Sequence, residues 1–196
     1  MVVKSQIKLI RSLQQKKCRI THKMFVVEGK KTVNELLVSK IRAYKVFSTD
    51  ENYKKEIGEI CDLISAKELS QISSLKNPSS ALGVFYIPEP LKIDGEDWVV
   101  VLDDVRDPGN LGTIIRLCDW FGIKNVFASE TTVDLFNPKV IQSSMGAVYR
   151  INFHRTHLSN LLQKLSVNGF DIVGAALGGK SLYQYDFKPK TAIVMG

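Results

Sequence analysis

The chain has 196 residues, 44% of them hydrophobic and 24% charged, with a formal net charge of +7, as in an ordinary globular protein with one or two cores. No apolar run approaches the roughly 20 residues needed to cross a bilayer, and the N-terminus lacks a signal-peptide core, so no membrane partner is predicted. The three cysteines are widely spaced and form no C-x-x-C motif, which favours reduced thiols in a cytoplasmic protein.

The first predicted element is a basic helix. An apolar stripe predicts a helix over residues 5–17, and residues 1–31 carry nine Lys and Arg residues against one acidic residue. The remainder of the chain is close to neutral, so this segment predicts a polyanionic partner, with nucleic acid first. A merely solvated basic helix would have the same composition. The candidate nucleic-acid ligands are Lys8, Arg11, Lys16, Lys17, Arg19 and Lys23.

Helices and strands then alternate, which predicts a small α/β unit over residues 1–90. The predicted strands cover residues 24–29, 44–47, 62–64 and 81–87, and the predicted helices cover 31–39 and 66–73. Residues 88–97 contain two prolines, a glycine and four acidic residues, which is typical of a linker. We therefore place the linker at residues 91–97 and a second domain at residues 98–196.

The second domain opens on a buried strand over residues 98–102, followed by a polar turn and a helix that ends at Gly122. Pro108 and Gly109 interrupt the backbone, so Asn110 is predicted to cap this helix. Its apolar residues, together with Trp120, are interpreted as core. Open α/β sheets place ligands at the carboxyl ends of their strands, so the turn is a candidate ligand site.

Alternating elements continue to the last residue of the chain. Strands are predicted over 125–128, 148–153, 170–177 and 191–195, and helices over 138–145 and 157–167. The chain stops directly after a predicted strand, and a strand of an α/β domain normally hands over to a helix. We therefore expect further residues to complete this domain.

One motif suggests a different function. Residues 174–181 satisfy G-x-x-x-x-G-K-[ST], the phosphate-binding loop of nucleotide hydrolases. That loop requires a helix that opens at Lys180 and Ser181, because the helix N-terminus holds the phosphates. The following residues are poor helix formers and soon reach Pro189, which favours a Gly-Gly turn. Nucleotide hydrolysis and non-catalytic RNA binding are kept as alternatives.

The turn after the strand at 98–102 carries a more specific pattern. The pattern L-D-x-V-x-D-P-x-N-x-G-x-x-x-R, from Leu102 to Arg116, resembles the first motif of the SpoU (TrmH-like) RNA ribose 2′-O-methyltransferases of the SPOUT superfamily. Residues 134–147 resemble the family's proline-started helix followed by Ser-x-Gly-Ala. Residues 192–196 resemble the first half of its second motif. Residues 1–87 resemble, more loosely, the ribosomal-protein-like substrate-binding domain often attached in front.

The resemblance implies an α/β fold with a small N-terminal α/β substrate-binding domain and a C-terminal SPOUT-type domain built on a parallel sheet. It implies a trefoil knot whose threading segment lies beyond the last residue. The implied activity is methyl transfer from S-adenosylmethionine, without a metal, to a ribose 2′-hydroxyl of structured RNA. By analogy rRNA is favoured over tRNA. Family members work as homodimers, so a dimer of the full-length protein is expected.

The resemblance also implies the site residues. Asn110 and Arg116 match the family's catalytic asparagine and arginine, and Gly196 matches a glycine that contacts the methyl donor. The remaining donor contacts of the family are expected beyond Gly196.

The chemistry leaves the role of Arg116 open. Arginine is a poor general base, which favours a grip on an RNA phosphate over the base role often proposed for the family. An Arg116–Asp119 surface pair is the structural alternative. Asn110 could be a helix cap only, and Asp107 is interpreted as a turn former and not as a catalyst.

Overall fold

The computed structural model describes residues 2–39, 41–89, 95 and 97–196. Most of the predicted linker at residues 91–97 lies outside the described residues. The described chain forms two β-sheets with helices packed on them. The helices are α1 (Lys4–Ser12), α2 (Lys16–His22), α3 (Lys30–Val38), α4 (Glu51–Ile57), α5 (Ala66–Ile72), α6 (Pro108–Trp120), α7 (Pro138–Ser144) and α8 (Leu158–Val167). The strands are β1 (Met24–Glu28), β2 (Ala43–Ser48), β3 (Cys61–Leu63), β4 (Ala81–Tyr86), β5 (Trp98–Leu102), β6 (Asn125–Ala128), β7 (Asn152–Arg155), β8 (Asp171–Gly174) and β9 (Thr191–Met195).

The N-terminal sheet has the order β1-β4-β2-β3. Strand β4 runs antiparallel to both β1 and β2, whereas β2 and β3 are parallel. All the predicted strands of this region are present, but α4 was not predicted. Its Asp50 cap accepts hydrogen bonds from the backbone of Asn52 and Tyr53, a local signal that the sequence interpretation did not use.

The single helix predicted over residues 5–17 is wrong, because α1 ends at Ser12 and α2 begins at Lys16. Gln15 between them is extended. The guanidinium of Arg19 donates hydrogen bonds of 2.8 Å to the carbonyl oxygens of Leu13 and Gln14. These carbonyl groups have no helical partner where α1 ends, so Arg19 stabilises the break.

The C-terminal sheet has the order β7-β6-β5-β9-β8, and all its neighbouring strands are parallel. The predicted α/β fold with a parallel sheet is therefore confirmed. The strand predicted at 148–153 is shifted to β7, because Ala147–Tyr149 form a short 3-10 helix. This turn buries Ala147 and Val148 in the core without any strand pairing.

Helix α6 buries a narrower face than its apolar composition predicts. Leu111, Ile115 and Cys118 are buried, in the i, i+4, i+7 spacing of a core-facing helix. By contrast, Trp120 is 82% exposed and Phe121 is 73% exposed, so their assignment to the core is wrong. Leu117 is also exposed, because it shares their side of the helix and not the side of Ile115.

The two sheets do not stand apart, because a single hydrophobic cluster contains buried residues from both. Phe25 of β1 lies 4.8 Å, centroid to centroid, from the ring of Phe136 and 5.9 Å from that of Tyr149. Arg19 of α2 forms an ion pair of 2.6 Å with Asp134 across the same interface. Among the described residues, no helix has the length and apolar character that crossing a membrane requires.

Candidate active site

The candidate site lies at the carboxyl edge of the parallel sheet, in the turn between β5 and α6. The backbone N–H of Asp103 donates to the carbonyl oxygen of Met195 at 2.8 Å. The N–H of Asp104 donates to Ser129 Oγ at 2.9 Å. The turn is therefore anchored to the ends of the strands on both sides of β5, which fixes the start of α6.

Asp107, and not Asn110, caps α6. Its Oδ1 accepts a hydrogen bond of 2.8 Å from the backbone N–H of Asn110, and Pro108 occupies the first helical position. The interpretation of Asn110 as a cap is therefore wrong. The Asn110 side chain is exposed and makes no hydrogen bond to another described residue, which leaves its amide available to a ligand.

The cap gives a first prediction. Asp107→Ala will lower the free energy of unfolding by about 1 kcal/mol and slow the methyl transfer that the SpoU resemblance implies, since the first turn that presents Asn110 loses its hydrogen bond. Asp107→Asn keeps the acceptor and should behave much like the wild type in urea unfolding and in initial-rate assays. A large rate loss for Asp107→Asn at unchanged stability would instead indicate that the carboxylate takes part in catalysis.

Arg116 lies on α6 about 9 Å further along the helix axis than Asn110. Its side chain is exposed and has neither an ion pair nor a hydrogen bond with another described residue. The structural alternative, a surface pair with Asp119, is not found, because Asp119 binds Arg150 through two nitrogens, with Nη2 2.7 Å and Nε 3.0 Å from Oδ2. The guanidinium of Arg116 is thus free to bind an anion.

Gly112, between these two residues, allows helix α7 to pack directly on α6. A Cβ atom at Gly112 would lie 1.9 Å from Ser143 Oγ and 2.9 Å from the backbone nitrogen of Ser144. Ser143 Oγ donates to the carbonyl oxygen of Lys139 at 2.7 Å and also lies 3.2 Å from that of Pro108. The glycine of the motif is therefore a packing requirement.

A second prediction follows from this contact. Gly112→Ala will destabilise the protein by about 2 kcal/mol, because the overpacking outweighs the gain in helix propensity. The double variant Gly112→Ala with Ser143→Gly removes the two nearest side-chain atoms and should recover part of the loss in urea unfolding. Unchanged stability of Gly112→Ala would show that the two helices separate at no cost.

Gly196 follows β9 and lies beside the same turn. A Cβ atom there would lie 2.8 Å from the carbonyl oxygen of Asp103, so only glycine lets the backbone pass this closely. The loop after β8 adjoins this point, where the N–H of Ala175 donates to the carbonyl oxygen of Val194 at 3.3 Å. Leu177 in this loop is fully exposed. Close backbone and apolar side chains fit an adenosine-containing methyl donor, which needs stacking and backbone hydrogen bonds.

The same loop does not form a phosphate-binding site of the nucleotide-hydrolase type. No helix opens at Lys180 and Ser181; only a single 3-10 turn, Leu182–Gln184, follows them. The helix N-terminus that would hold the phosphates is missing from this described segment. The structure therefore disfavours the nucleotide-hydrolase alternative.

The predicted RNA-binding residues are not equivalent. Lys8, Arg11, Lys16, Lys17 and Lys23 are exposed on or beside α1 and α2. Arg19 is 2% exposed, and both its Nε and Nη2 bind Asp134 Oδ2, at 2.8 and 2.6 Å. The prediction that Arg19 binds RNA is therefore wrong, because its donors are occupied inside the protein.

Sequence reasoning missed a pocket between the two units, to which Lys31 of α3 and Lys139 of α7 contribute. Lys139 lies at the start of the proline-started helix predicted over residues 138–145, a pattern that gives the lysine no role. No local signal placed Lys31 beside it, since more than 100 residues separate the two in sequence.

Comparisons with known proteins give the family. Residues 97–196 match the model of the SpoU rRNA Methylase family, and residues 4–83 match that of the MRM3-like substrate binding domain. The chain is 31% identical over 177 residues to 23S rRNA (guanosine(2553)-2′-O)-methyltransferase RlmP of Bacillus subtilis, covering 89% of this chain and 71% of that protein.

Two solved structures share the fold over the whole chain. One is a TrmH-family protein from Porphyromonas gingivalis, with 32% identity, a TM-score of 0.88 and 81% of that chain covered. The other is an rRNA methyltransferase from Sinorhizobium meliloti with S-adenosylmethionine bound, with 27% identity, a TM-score of 0.84 and 79% covered. The motif at the β5–α6 turn, the parallel sheet and these matches agree, and the chain belongs to the SpoU rRNA methylase family.

Proposed function

We propose that the protein transfers a methyl group from S-adenosylmethionine to a ribose 2′-hydroxyl of rRNA. The observation that carries this proposal is that Asn110 and Arg116 are both exposed on α6, without a side-chain hydrogen bond or ion pair to another described residue, at the carboxyl edge of a SpoU-type sheet. RlmP of Bacillus subtilis, whose name gives it this reaction on 23S rRNA, supports the substrate class. We assign residues 98–196 to catalysis and residues 1–90 to RNA binding.

The two side chains of α6 have different roles in this proposal. The guanidinium of Arg116 binds an RNA phosphate through two nitrogens and so fixes the position of the target nucleotide. The amide oxygen of Asn110 accepts a hydrogen bond from the 2′-hydroxyl and so directs a lone pair of the hydroxyl oxygen at the methyl group. The proton that the hydroxyl loses passes to water. A guanidinium carries five N–H donors and no acceptor, which favours this anchoring role over proton abstraction.

The bound donor supplies a methyl group on a positively charged sulfur. Gly196 and the loop after β8 would hold it, since their close backbone and exposed apolar surface lie beside the β5–α6 turn. The protein's own contribution is then to align the hydroxyl with the methyl carbon. Such alignment can lower the activation free energy of a reaction by several kcal/mol.

The proposal is tested by incubating the protein with methyl-labelled S-adenosylmethionine and, in separate reactions, with rRNA and with tRNA. Label is expected on rRNA. Label on tRNA alone would show that the substrate is tRNA, the second candidate, and not rRNA. Binding of RNA without donor binding in calorimetry would indicate a non-catalytic RNA-binding protein.

Two further properties belong to this proposal. We expect a homodimer, supported by the exposed apolar side chains of Leu117, Trp120 and Phe121 on one side of α6, and sedimentation equilibrium would measure it. We expect a cytoplasmic location, which fits the three free cysteines Cys18, Cys61 and Cys118.

A further inference from the structure

A pocket of about 500 Å³ lies between the N-terminal unit and helix α7. Its walls come from both units: Gln14 follows α1, Lys31 and Glu35 belong to α3, and Lys139 and Gln142 belong to α7. The volume is sufficient for a nucleotide, and hydrogen-bonding side chains line it on two sides. Neither the SpoU motif nor the basic helices account for this pocket.

The two lysines of the pocket are available to an anion. Lys31 and Lys139 are both exposed, and neither forms an ion pair with another described residue. Some lysines of this unit are ion-paired by contrast, as Lys45 is with Asp62 at 2.8 Å. Two lysines that have no ion pair with a described residue, and that face one pocket from different units, are suited to binding the phosphates of an extended RNA strand.

The two carboxylates of the pocket differ from each other. Glu28 is saturated, because it accepts hydrogen bonds from the backbone N–H and the Oγ of Ser74, at 2.8 and 2.9 Å, and also from Ser73 Oγ. Glu35 is half-buried and makes no hydrogen bond or ion pair with another described residue. Its Oε2 lies 1.9 Å from the position of a Cβ atom on Gly146, so the carboxylate rests directly on that glycine.

Glu35 interacts electrostatically with Arg150, but both of its oxygens lack a hydrogen bond from another described residue. This carboxylate indicates which ligand group the pocket selects. A carboxylate only accepts hydrogen bonds, so it selects a group that donates them. Among the RNA bases, guanine offers adjacent N1–H and N2–H donors that can meet both oxygens, whereas uracil offers a single N–H. RNA-binding proteins recognise single-stranded bases through such edges.

The pocket is one helix away from the candidate active site. Helix α7 lines it with Lys139 and Gln142, whereas Ser143 of the same helix contacts the first turns of α6. A helix with its side chains is about 10 Å across, so the pocket accommodates a neighbour of the target nucleotide and not the target itself. On its other side, Gln14 joins the pocket to the basic helices α1 and α2.

We propose that this pocket binds a guanine nucleotide adjacent to the methylated one, with Lys31 and Lys139 on its phosphates and Glu35 on the edge of its base. This proposal rests on the proposed RNA substrate. It gives the RNA strand a path from α1 and α2, across α7, to Asn110 and Arg116.

The lysines are tested by fluorescence anisotropy of the whole protein with a labelled ten-nucleotide RNA of alternating uridine and guanosine. The double variant Lys31→Gln, Lys139→Gln should bind about ten-fold more weakly, and its salt dependence should fall by about 1.4 in log–log slope. The matched controls Lys67→Gln on α5 and Lys164→Gln on α8 change exposed lysines elsewhere and should bind like the wild type. Equal losses in the controls and the double variant would overturn the proposal.

Glu35 is tested by its effect on base preference. The wild type should bind the uridine–guanosine RNA several-fold more tightly than a ten-nucleotide oligouridine, and Glu35→Gln should lose most of that preference while binding oligouridine normally. If Glu35→Gln keeps the same preference, the proposal that Glu35 recognises guanine is wrong. These measurements need no methyl donor, so a failure of the pocket proposal is distinct from a failure to methylate RNA.

Discussion

Arg116→Ala will reduce the rate of methyl transfer by about a thousand-fold and leave the affinity for S-adenosylmethionine unchanged. The side chain is exposed and unpaired in the described structure, so its removal disturbs no internal contact. In the proposed mechanism, the substitution removes the contact with an RNA phosphate that places the target ribose beside Asn110. Single-turnover rates with saturating RNA, together with donor calorimetry, measure the two effects separately.

Two controls sharpen this result. Arg116→Lys keeps the charge but not the two-nitrogen geometry, so an intermediate rate is expected. Arg42→Ala removes an exposed arginine that stacks 4.4 Å from the Tyr86 ring, and it should retain the wild-type rate. If Arg116→Ala stays active, the assignment of the α6 surface as the RNA-facing half of the site is wrong.

Arg19→Met will lower the free energy of unfolding by about 3 kcal/mol. The substitution leaves the carboxylate of Asp134, which is 18% exposed, without its ion-pair partner. It also leaves the carbonyl groups of Leu13 and Gln14 without the guanidinium that accounts for the break between α1 and α2. A buried charge that loses its partner costs far more than an exposed one.

The matched control is Lys23→Met, at the position that directly follows α2. Lys23 is 76% exposed and lies 3.9 Å from Glu89, so its removal should change stability by less than about 0.5 kcal/mol. The double variant Arg19→Met, Asp134→Leu should recover part of the loss, because no unpaired charge remains. Urea denaturation of the four proteins gives the values, and equal stabilities of Arg19→Met and Lys23→Met would contradict the assigned role.

The sequence was sufficient where local patterns act alone. The apolar run of β5 predicts a buried parallel strand, and Pro108 followed by Gly109 predicts the turn that begins α6. The spacing from Asp107 to Arg116 carries the family resemblance. These features depend on a few neighbouring residues, and the structure has them at the predicted positions. The exception is the helix cap, which is Asp107 and not Asn110.

The features of the fold and the site that the sequence did not predict depend on contacts between residues far apart in the chain. The neighbouring sequence does not indicate that Arg19 is buried while Lys16 and Lys17 are exposed. Its ion-pair partner Asp134 lies 115 residues away in the sequence. Trp120 has the composition of a core residue, but the face of α6 that becomes buried is decided by where α7 packs. The pocket between α3 and α7 combines residues from both units, so no pattern within one unit predicts it.

Alkaline hydrolysis of the methylated RNA tests the central claim most directly. Alkali cleaves an RNA phosphodiester through the neighbouring free 2′-hydroxyl, so the bond beside a 2′-O-methylated ribose survives. After reaction of rRNA with methyl-labelled S-adenosylmethionine, the label should appear in alkali-resistant dinucleotides, and Arg116→Ala should abolish it. Label found only in mononucleotides would place the methyl group on a base and contradict the account.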